Sequence, residues 1–511
     1  MLAQTYSGAV EGVNGLLVEV EVDVSFGLPG FATVGLPEAA VRESKDRVQA
    51  AIKNSGYDFP AKKITVNLAP ADLRKGGTGY DLPIAVGLLA ANDLLVSAKL
   101  SRYLLIGELS LDGSLRSVNG ILPIVLAAKA AKLAGVIVPA FNASEAAVVD
   151  DINVISVASL PEAVDFLAGK KKIAPTIVNI KDFFAKSNNP EVDFSEVKGQ
   201  AMAKRALEIA AAGRHNILLE GPPGSGKTML ARRLPTIIPD LTVDEALETS
   251  KVYSVAGLNQ KDGGIITQRP FRSPHHNISD AGLIGGGSIP RPGEVSLATN
   301  GVLFLDELAE FKKTILEGLR QPLEDGVVTI SRAASSLTFP ANFILVAATN
   351  PCPCGYLGDA NHDCGCSATQ IQRYKGKISG PLLDRIDMYV EVAALSFNEL
   401  SAMRAGETSE IIRQRVIRAG AIQQERFKRY KNIHANSQMN QRAVKKYCHL
   451  DEPSLKILGA ATRKLGLSAR AYTRIQKIAR TIADLDESTE IKSSHIAEAV
   501  QYRRADRTST S

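Results

Sequence analysis

The order of apolar and polar positions divides the chain into an alternating front, a strand-bearing middle and a helical rear. Leu16–Val24 (LLVEVEVDV) alternates apolar and acidic residues with the period of a half-buried strand. Glu38–Ile52 has the spacing of an amphipathic helix, Lys63–Leu68 that of another strand, and Leu82–Ala91 reads as an apolar helix. Ala127–Ala134 continues the pattern and runs into a strand at Gly135–Pro139. These elements predict a compact α+β domain over residues 1–170. Residues 171–189 are basic, then polar, with little periodicity, and read as a linker. Apolar runs at 216–220, 301–305 and 343–348 predict strands of a third region, 190–395. Residues 396–511 are patterned as helices: Ser409–Tyr430, Gln441–Cys448, Asp451–Leu465, Ser468–Leu485 and Ser493–Arg503. Asp451-Glu-Pro and Ser493-Ser-His mark two of the starts.

The most informative local chemistry lies after the 216–220 strand. Gly221, Pro222, Pro223, Gly224, Ser225, Gly226, Lys227 and Thr228 satisfy every fixed position of G-x-x-x-x-G-K-[ST], between a strand and a helical pattern. Glycines let such a loop turn its N–H groups inward, and the helix N-terminus adds positive potential. Lys227 can reach the outer phosphates of a nucleoside triphosphate, and the Thr228 hydroxyl can hold Mg²⁺. The strand at 301–305 ends in Asp306 and Glu307, so Asp306 is the second candidate for the Mg²⁺ shell and Glu307 the candidate that orients and deprotonates water.

Composition changes the picture in three places. With 511 residues, 45% apolar and 22% charged, the chain is long enough for two to four ordinary domains. It lacks an 18-residue apolar run, and the first residues lack a signal-peptide pattern, which predicts a cytoplasmic protein without a membrane partner. Between Arg413 and Arg480 there are 17 Lys and Arg but only three acids, while the chain as a whole carries +6. That polarity suits an anionic partner, with nucleic acid first, or else a solvated face or an acidic neighbouring subunit. Finally, Cys352, Cys354, Cys364 and Cys366 crowd one loop. Four thiolates can close a tetrahedral structural Zn²⁺ site; reduced free thiols and an iron–sulfur or redox role are the alternatives.

Two resemblances extend this reading. Arg74–Pro83 (RKGGTGYDLP), Gly107–Ser110 and Val118–Pro123 resemble the proteolytic domain of Lon proteases, within the ribosomal-protein-S5-like fold. The slots for the serine nucleophile and lysine base hold Gly79 and Leu122, so serine–lysine chemistry is not expected, and Thr78 beside the first slot lacks a base. The first domain is then expected to be a structural or interaction module.

Residues 190–500 resemble the magnesium-chelatase-like branch of AAA+ proteins, and the whole chain resembles the YifB/ComM family. The characteristic stretches are Arg269–His276 (RPFRSPHH), Arg291–Ala298 (RPGEVSLA), Glu317–Gly326 (EGLRQPLEDG) and Asn350–Asp359 (NPCPCGYLGD). The resemblance implies a multidomain α/β protein: a Lon-protease-like α+β domain, an AAA+ P-loop α/β core and an all-α lid. A Val-x-Gly-Gln box ending at Gln200 favours ATP. Asn350 matches the sensor that touches the γ-phosphate or attacking water, and Arg385 the arginine finger supplied to the next subunit of a ring, which the resemblance implies is a hexamer. The alternative for Arg385 is a local ion pair with Asp384 or Asp387. Arg470 matches the second sensor, with Arg474 as fallback. Arg269, Arg272 and Arg291, in a Gly-rich insertion with His275 and His276, and Arg332 near a hairpin tip, are the expected DNA contacts. The family implies an ATP- and Mg²⁺-dependent DNA motor with helicase-like activity, acting on single-stranded, double-stranded or branched DNA during branch migration in natural transformation. A chelatase-type motor subunit and an ATP-gated regulatory scaffold acting on a protein partner are the alternatives.

Overall fold

The computed structural model describes residues 1–186, 192–258, 264–287, 290–332, 335–359, 362–394, 406–430 and 433–503. They form two compact units. The first comprises Met1–Ser187, Thr242–Thr267 and Ser331–Phe339; the second comprises Asn188–Leu241, Gln268–Ile330 and Pro340–Ser511.

The first unit is built on a seven-stranded mixed sheet. Its strands run in the order Gly30–Val34, Lys63–Ala69, Asn14–Ser25, Leu2–Glu11, Tyr103–Leu105, Gly135–Pro139, Asn153–Val157. The first two strands of the chain form an antiparallel hairpin from Leu2↔Asp23 to Glu11↔Asn14, and Gly12 supplies the positive φ, +64°, that its tight turn needs. Val18, Val20, Val22 and Val24 all point into the core, and the intervening acids do not, as the period-two pattern predicts. The Asp81–Ala91 helix is buried almost all round and brings Asp81 inside, where Arg47 Nε donates to it at 2.7 Å. Where one helix is expected over 38–52, two are present, Ala39–Arg42 and Ser44–Asn54. The interruption is a tightened turn, in which Asp46 N–H donates to Glu43 carbonyl, three residues back.

A helix from between the two nucleotide-site motifs, Val243–Ala256, also belongs to this unit. Thr242 and Glu245 form a reciprocal capping box at its start, and Gly257 ends it in the left-handed region. Ser254 carbonyl accepts from Gly120 N–H at 3.0 Å, which fixes the helix against the N-terminus of the Ile121–Ala130 helix. The residues at the protease-like slots are packed into apolar surroundings. A Cβ at Gly79 would meet Ile106 Cγ1 at 2.9 Å, and Leu122 is fully buried. The Thr78 hydroxyl donates to Glu108.

The second unit holds a five-stranded parallel sheet in the order Phe271–Arg272, Val302–Leu305, Ile344–Thr349, Ile217–Glu220, Met388–Glu391. The two central strands Val302–Leu305 and Ile344–Thr349 are buried along their whole length, so they read as apolar runs and not as alternations. The helices Ser409–Phe427, Gln441–Tyr447, Glu452–Leu465, Ala469–Leu485 and Ser493–Gln501 complete the unit. Asp451 caps the third of these by accepting from Ser454 N–H at 2.9 Å, with Pro453 in the first turn. Phe427, Ile475 and Ile478 share one continuous apolar core with Leu207, Ile209 and Ile217. The helices from Ser409 to Gln501 therefore pack as part of the same unit as the sheet.

Candidate functional site: a nucleotide cradle at the carboxyl ends of three strands

The site follows from the strand order. Ile217–Glu220, Ile344–Thr349 and Val302–Leu305 are adjacent and parallel, so Gly221, Asn350 and Asp306 emerge side by side at their carboxyl ends. In open α/β sheets ligands bind at that edge. Gly221 N–H donates to Thr349 carbonyl at 3.2 Å, and a Cβ at Gly221 would lie 2.2 Å from Val392 carbonyl oxygen, so no larger residue fits. Gly224 and Gly226 turn the loop at φ +75° and +91° before the Lys227–Ile237 helix begins.

Lys227 Nζ lies in the mouth of this loop. It donates to Gly221 and Pro222 carbonyls at 2.7 and 2.8 Å and to Asn350 Oδ1 at 3.3 Å. Burial pulls its pKa below the ordinary lysine value, and Asp306 and Glu307 only partly offset this. The Thr228 hydroxyl donates to Asp306 Oδ2 at 2.8 Å, which pairs the two expected Mg²⁺ ligands from opposite motifs. Hard oxygen donors of this kind, a hydroxyl beside a carboxylate at a phosphate loop, fit Mg²⁺. Asp306 Oδ1 accepts from Glu307 N–H at 2.9 Å. Glu307 itself sits at φ +51°, a strained backbone for glutamate that aims its carboxylate away from the strand. Its Oε2 is 3.3 Å from His276 Nδ1. Gln200, also in the left-handed region, places Nε2 3.5 Å from Ser225 carbonyl, so the Val-x-Gly-Gln box reaches the loop.

The structure does not gather all expected residues here. Arg385 is buried and pairs with Glu324 at 2.6 Å, not with Asp384 or Asp387; its Nη1 donates to Pro381 carbonyl. Arg470, exposed in the first turn of the Ala469–Leu485 helix, acts on the same Glu324 carboxyl. Glu324 is held below the usual carboxylate range by its bond to Arg385, with Arg470 and Arg320 adding to the effect. Arg474 is engaged elsewhere, with Asp387 at 3.4 Å and Ile386 carbonyl at 2.9 Å.

Known proteins match nearly the full length of this chain in sequence, and family models match the greater part of it. Three family models cover it: "Magnesium chelatase, subunit ChlI" over residues 193–400, "Subunit ChlI of Mg-chelatase" over 20–142, and "Magnesium chelatase, subunit ChlI C-terminal" over 406–503. Competence protein ComM of Haemophilus influenzae is 47% identical over 505 residues, 98% of this chain and 97% of that protein. The chain belongs to the YifB/ComM family of magnesium-chelatase-like AAA+ ATPases. The YifB protein of Escherichia coli is 45% identical over 511 residues, 99% of this chain and 98% of that one. By contrast, the magnesium-chelatase 67 kDa subunit of Chlorobaculum parvum matches 164 residues at 25% identity, 31% of this chain and 23% of that subunit. The YifB/ComM likeness is thus end to end, and the chelatase subunit's is local.

This YifB/ComM-family chain carries four of its five cysteines in the loop just beyond Asn350. Their sulfurs all lie within 4.8 Å of one another, with Cys352–Cys354 at 3.3 Å and Cys364 at 3.6 Å from each of those two. A Zn²⁺ with Zn–S bonds of about 2.3 Å has sulfur–sulfur edges of about 3.8 Å, so the cluster is compatible with zinc after shifts of up to about an ångström. The Tyr356 amide, with the neighbouring thiols, stabilises the Cys354 thiolate and lowers its pKa to about 6.

Among the residues expected to meet DNA, two of the arginines have internal partners. The Arg269 guanidinium donates to Asn300 carbonyl at 2.6 Å and Asp240 carbonyl at 3.1 Å, besides Pro239 carbonyl. Arg272 makes a two-pronged pair with Glu294, both bonds 2.6 Å. Arg291 is exposed beside the Gly285–Gly286 strand. Arg332 ends the first strand of the Val327–Arg332/Ser335–Pro340 hairpin, and its side chain lies outside the described residues. His276 has a place that its sequence did not disclose: it stacks on His275 at 4.1 Å and meets Glu307. No helix among the described residues is long and apolar enough to cross a membrane.

Proposed function

We propose that the chain is an ATP-driven DNA motor of the ComM type, working in the cytoplasm as a ring, with a homohexamer the expected assembly. It would use ATP hydrolysis for helicase-like translocation on single-stranded, double-stranded or branched DNA, and so promote branch migration when incoming DNA is integrated. The observation that carries this reading is the end-to-end likeness to a competence protein, together with a complete phosphate loop, Asp306, Glu307 and Asn350 in one cradle. ATP and Mg²⁺ are the cofactors, and Zn²⁺ at Cys352, Cys354, Cys364 and Cys366 is a structural one. The first unit serves as an interaction module, since Gly79 and Leu122 present packed apolar surroundings at its protease-like slots.

Arg385 and Arg470 converge on Glu324, and Arg470 is exposed there. Both are proposed to serve the ATP of an adjacent subunit, with Arg385 exchanging Glu324 for the transferring phosphoryl group. Arg385→Ala is expected to lower turnover by about 10³-fold or more. Mixing Arg385→Ala with Lys227→Ala subunits should restore activity to about a quarter of the interfaces of a random ring, because one variant supplies the loop and the other the arginine. Mixtures as inactive as the separate variants would remove the intersubunit role.

ATP turnover measured with and without DNA tests the motor itself. Forked and four-way DNA are expected to raise turnover and to be converted into exchanged products. A chelatase-like subunit, the protein that the family-model descriptions name, or a protein-directed scaffold would respond to a protein partner and not to DNA. Arg291→Ala, with Arg429 and Lys446 among the other exposed cations, should weaken DNA binding evenly across sequences. Each lost phosphate contact should reduce the slope of log affinity against log salt by about 0.9.

A further inference from the structure

The cysteine loop and the nucleotide site are physically joined. Asn350, whose Oδ1 is 3.3 Å from Lys227 Nζ, precedes the buried Cys352 by two residues. Gly355, at φ +88°, comes so near the phosphate loop that a Cβ there would lie 2.5 Å from Pro223 Cδ and 2.8 Å from its Cγ. On the far side of the cluster, His362 N–H donates to Asp359 Oδ1 at 3.1 Å, and its ring lies 4.7 Å from that of Tyr356. Among its described residues little is apolar, and Leu357 is exposed, so little buried apolar surface holds them. The crowded sulfurs add a further internal tie to the His362 bond and ring contact. Loops of this kind gain their shape from metal ligation, because the ligand bonds replace the missing core.

We propose that a Zn²⁺ bound by Cys352, Cys354, Cys364 and Cys366 seats the loop against Pro223 and thereby holds Asn350 in register with Lys227, so that metal occupancy sets the rate of ATP hydrolysis. The inference rests on the zinc reading of the cluster and extends it to the chemistry. A sensing side chain must be held to about 0.5 Å, and a displacement near 1 Å can cost on the order of 10²-fold in rate. ATP affinity depends more on the loop amides and Lys227, so hydrolysis is the step that metal loss affects.

The full chain is assayed for zinc by elemental analysis, for binding of a non-hydrolysable ATP analogue, and for single-turnover ATP hydrolysis, before and after chelator treatment. The expected result is one zinc per chain, a loss of about tenfold to a hundredfold in hydrolysis on stripping, analogue affinity kept within about threefold, and recovery on adding Zn²⁺ back. Asn350→Ala should show a similar loss, and stripping that variant should add less than about threefold, since both changes remove one effect. Gly355→Ala should keep its zinc yet hydrolyse ATP slowly, because its Cβ pushes against Pro223. If zinc is present but stripping leaves hydrolysis unchanged, the coupling is wrong and the metal assignment stands. If the protein neither contains nor takes up zinc, both are wrong, while DNA-stimulated turnover remains a separate readout of the motor. If stripping also abolishes analogue binding, the loop supports the unit as a whole, and the specific link to Asn350 is overturned.

Discussion

Glu307→Gln is expected to lower ATP turnover by about 10²–10⁴-fold while leaving ATP·Mg binding within a few fold of the parent. The two effects separate because the two acids have separate duties. Asp306 is joined to Thr228 and would keep its place in the metal shell. Glu307 takes no part in that pair; its amide donates to Asp306, and its side chain turns out toward His276. Glutamine preserves the shape and the amide bond but cannot accept a proton from water. Lys227→Ala should differ, since it removes the cation from the loop mouth and weakens binding as well as turnover. Analogue binding isotherms beside steady-state turnover distinguish the two variants. His276→Ala gives the control for the neighbour. Were Glu307→Gln to turn over normally and His276→Ala to fail, the base would have to be reassigned to the imidazole.

How much of this was legible depended on whether a residue's role is set by near neighbours or by distant ones. The phosphate loop was fully readable, because Gly221 to Thr228 specify strand, turn and helix start within one short segment. Asp306 followed, since it ends an apolar run; Asn350 was singled out by the family resemblance, and strand order then brings the two together. The lid helices were also readable from period and caps, to within a few residues at their ends. Contacts across long separations were not readable. Nothing near Arg385 points to Glu324, and nothing near Arg269 shows that its guanidinium is spent on Asp240 and Asn300 carbonyls. Nor does the pattern of Val243–Ala256 reveal that this helix joins the first unit, because amphipathic spacing gives a buried face but not its partner.

The basic run from Arg413 to Arg480 shows the same limit most clearly. Its surplus suggested an anionic ligand, yet much of it meets acids from outside the run. Arg413 pairs with Asp240, Arg415 with Glu208 and Glu407, Arg418 with Glu487, and Arg426 and Arg480 with Asp484. What remains exposed includes Arg429, Arg442, Lys445, Lys446, Arg463, Lys464 and Arg470, a smaller cationic surface than the count implied. Sequence charge therefore overstates the electrostatic attraction available to DNA, because local counting misses pairs closed by the fold.

Asp484→Ala should be the most destabilising change in the second unit, by about 3–5 kcal/mol. The Asp484 carboxylate is fully buried and accepts from Arg426 Nη1 at 2.6 Å and Nη2 at 2.5 Å, Asn436 Nδ2 at 2.8 Å and Arg480 Nε at 3.1 Å. Alanine leaves two guanidinium groups, 11% and 3% exposed, without their central counter-charge. Arg480 retains Thr489 and Ser488 carbonyls, but these neutralise no charge. Asp484→Asn keeps the shape and some hydrogen bonds, so it should cost less. The consequence extends beyond the helices, because Ile475, Ile478 and Phe427 share their apolar core with Leu207, Ile209 and Ile217 beside the nucleotide sheet. Urea unfolding followed by nucleotide binding and by far-ultraviolet circular dichroism should therefore shift to lower denaturant together. If the helices melted first with ATP binding intact, the lid would be a separate folding unit and the common core would carry little of its stability.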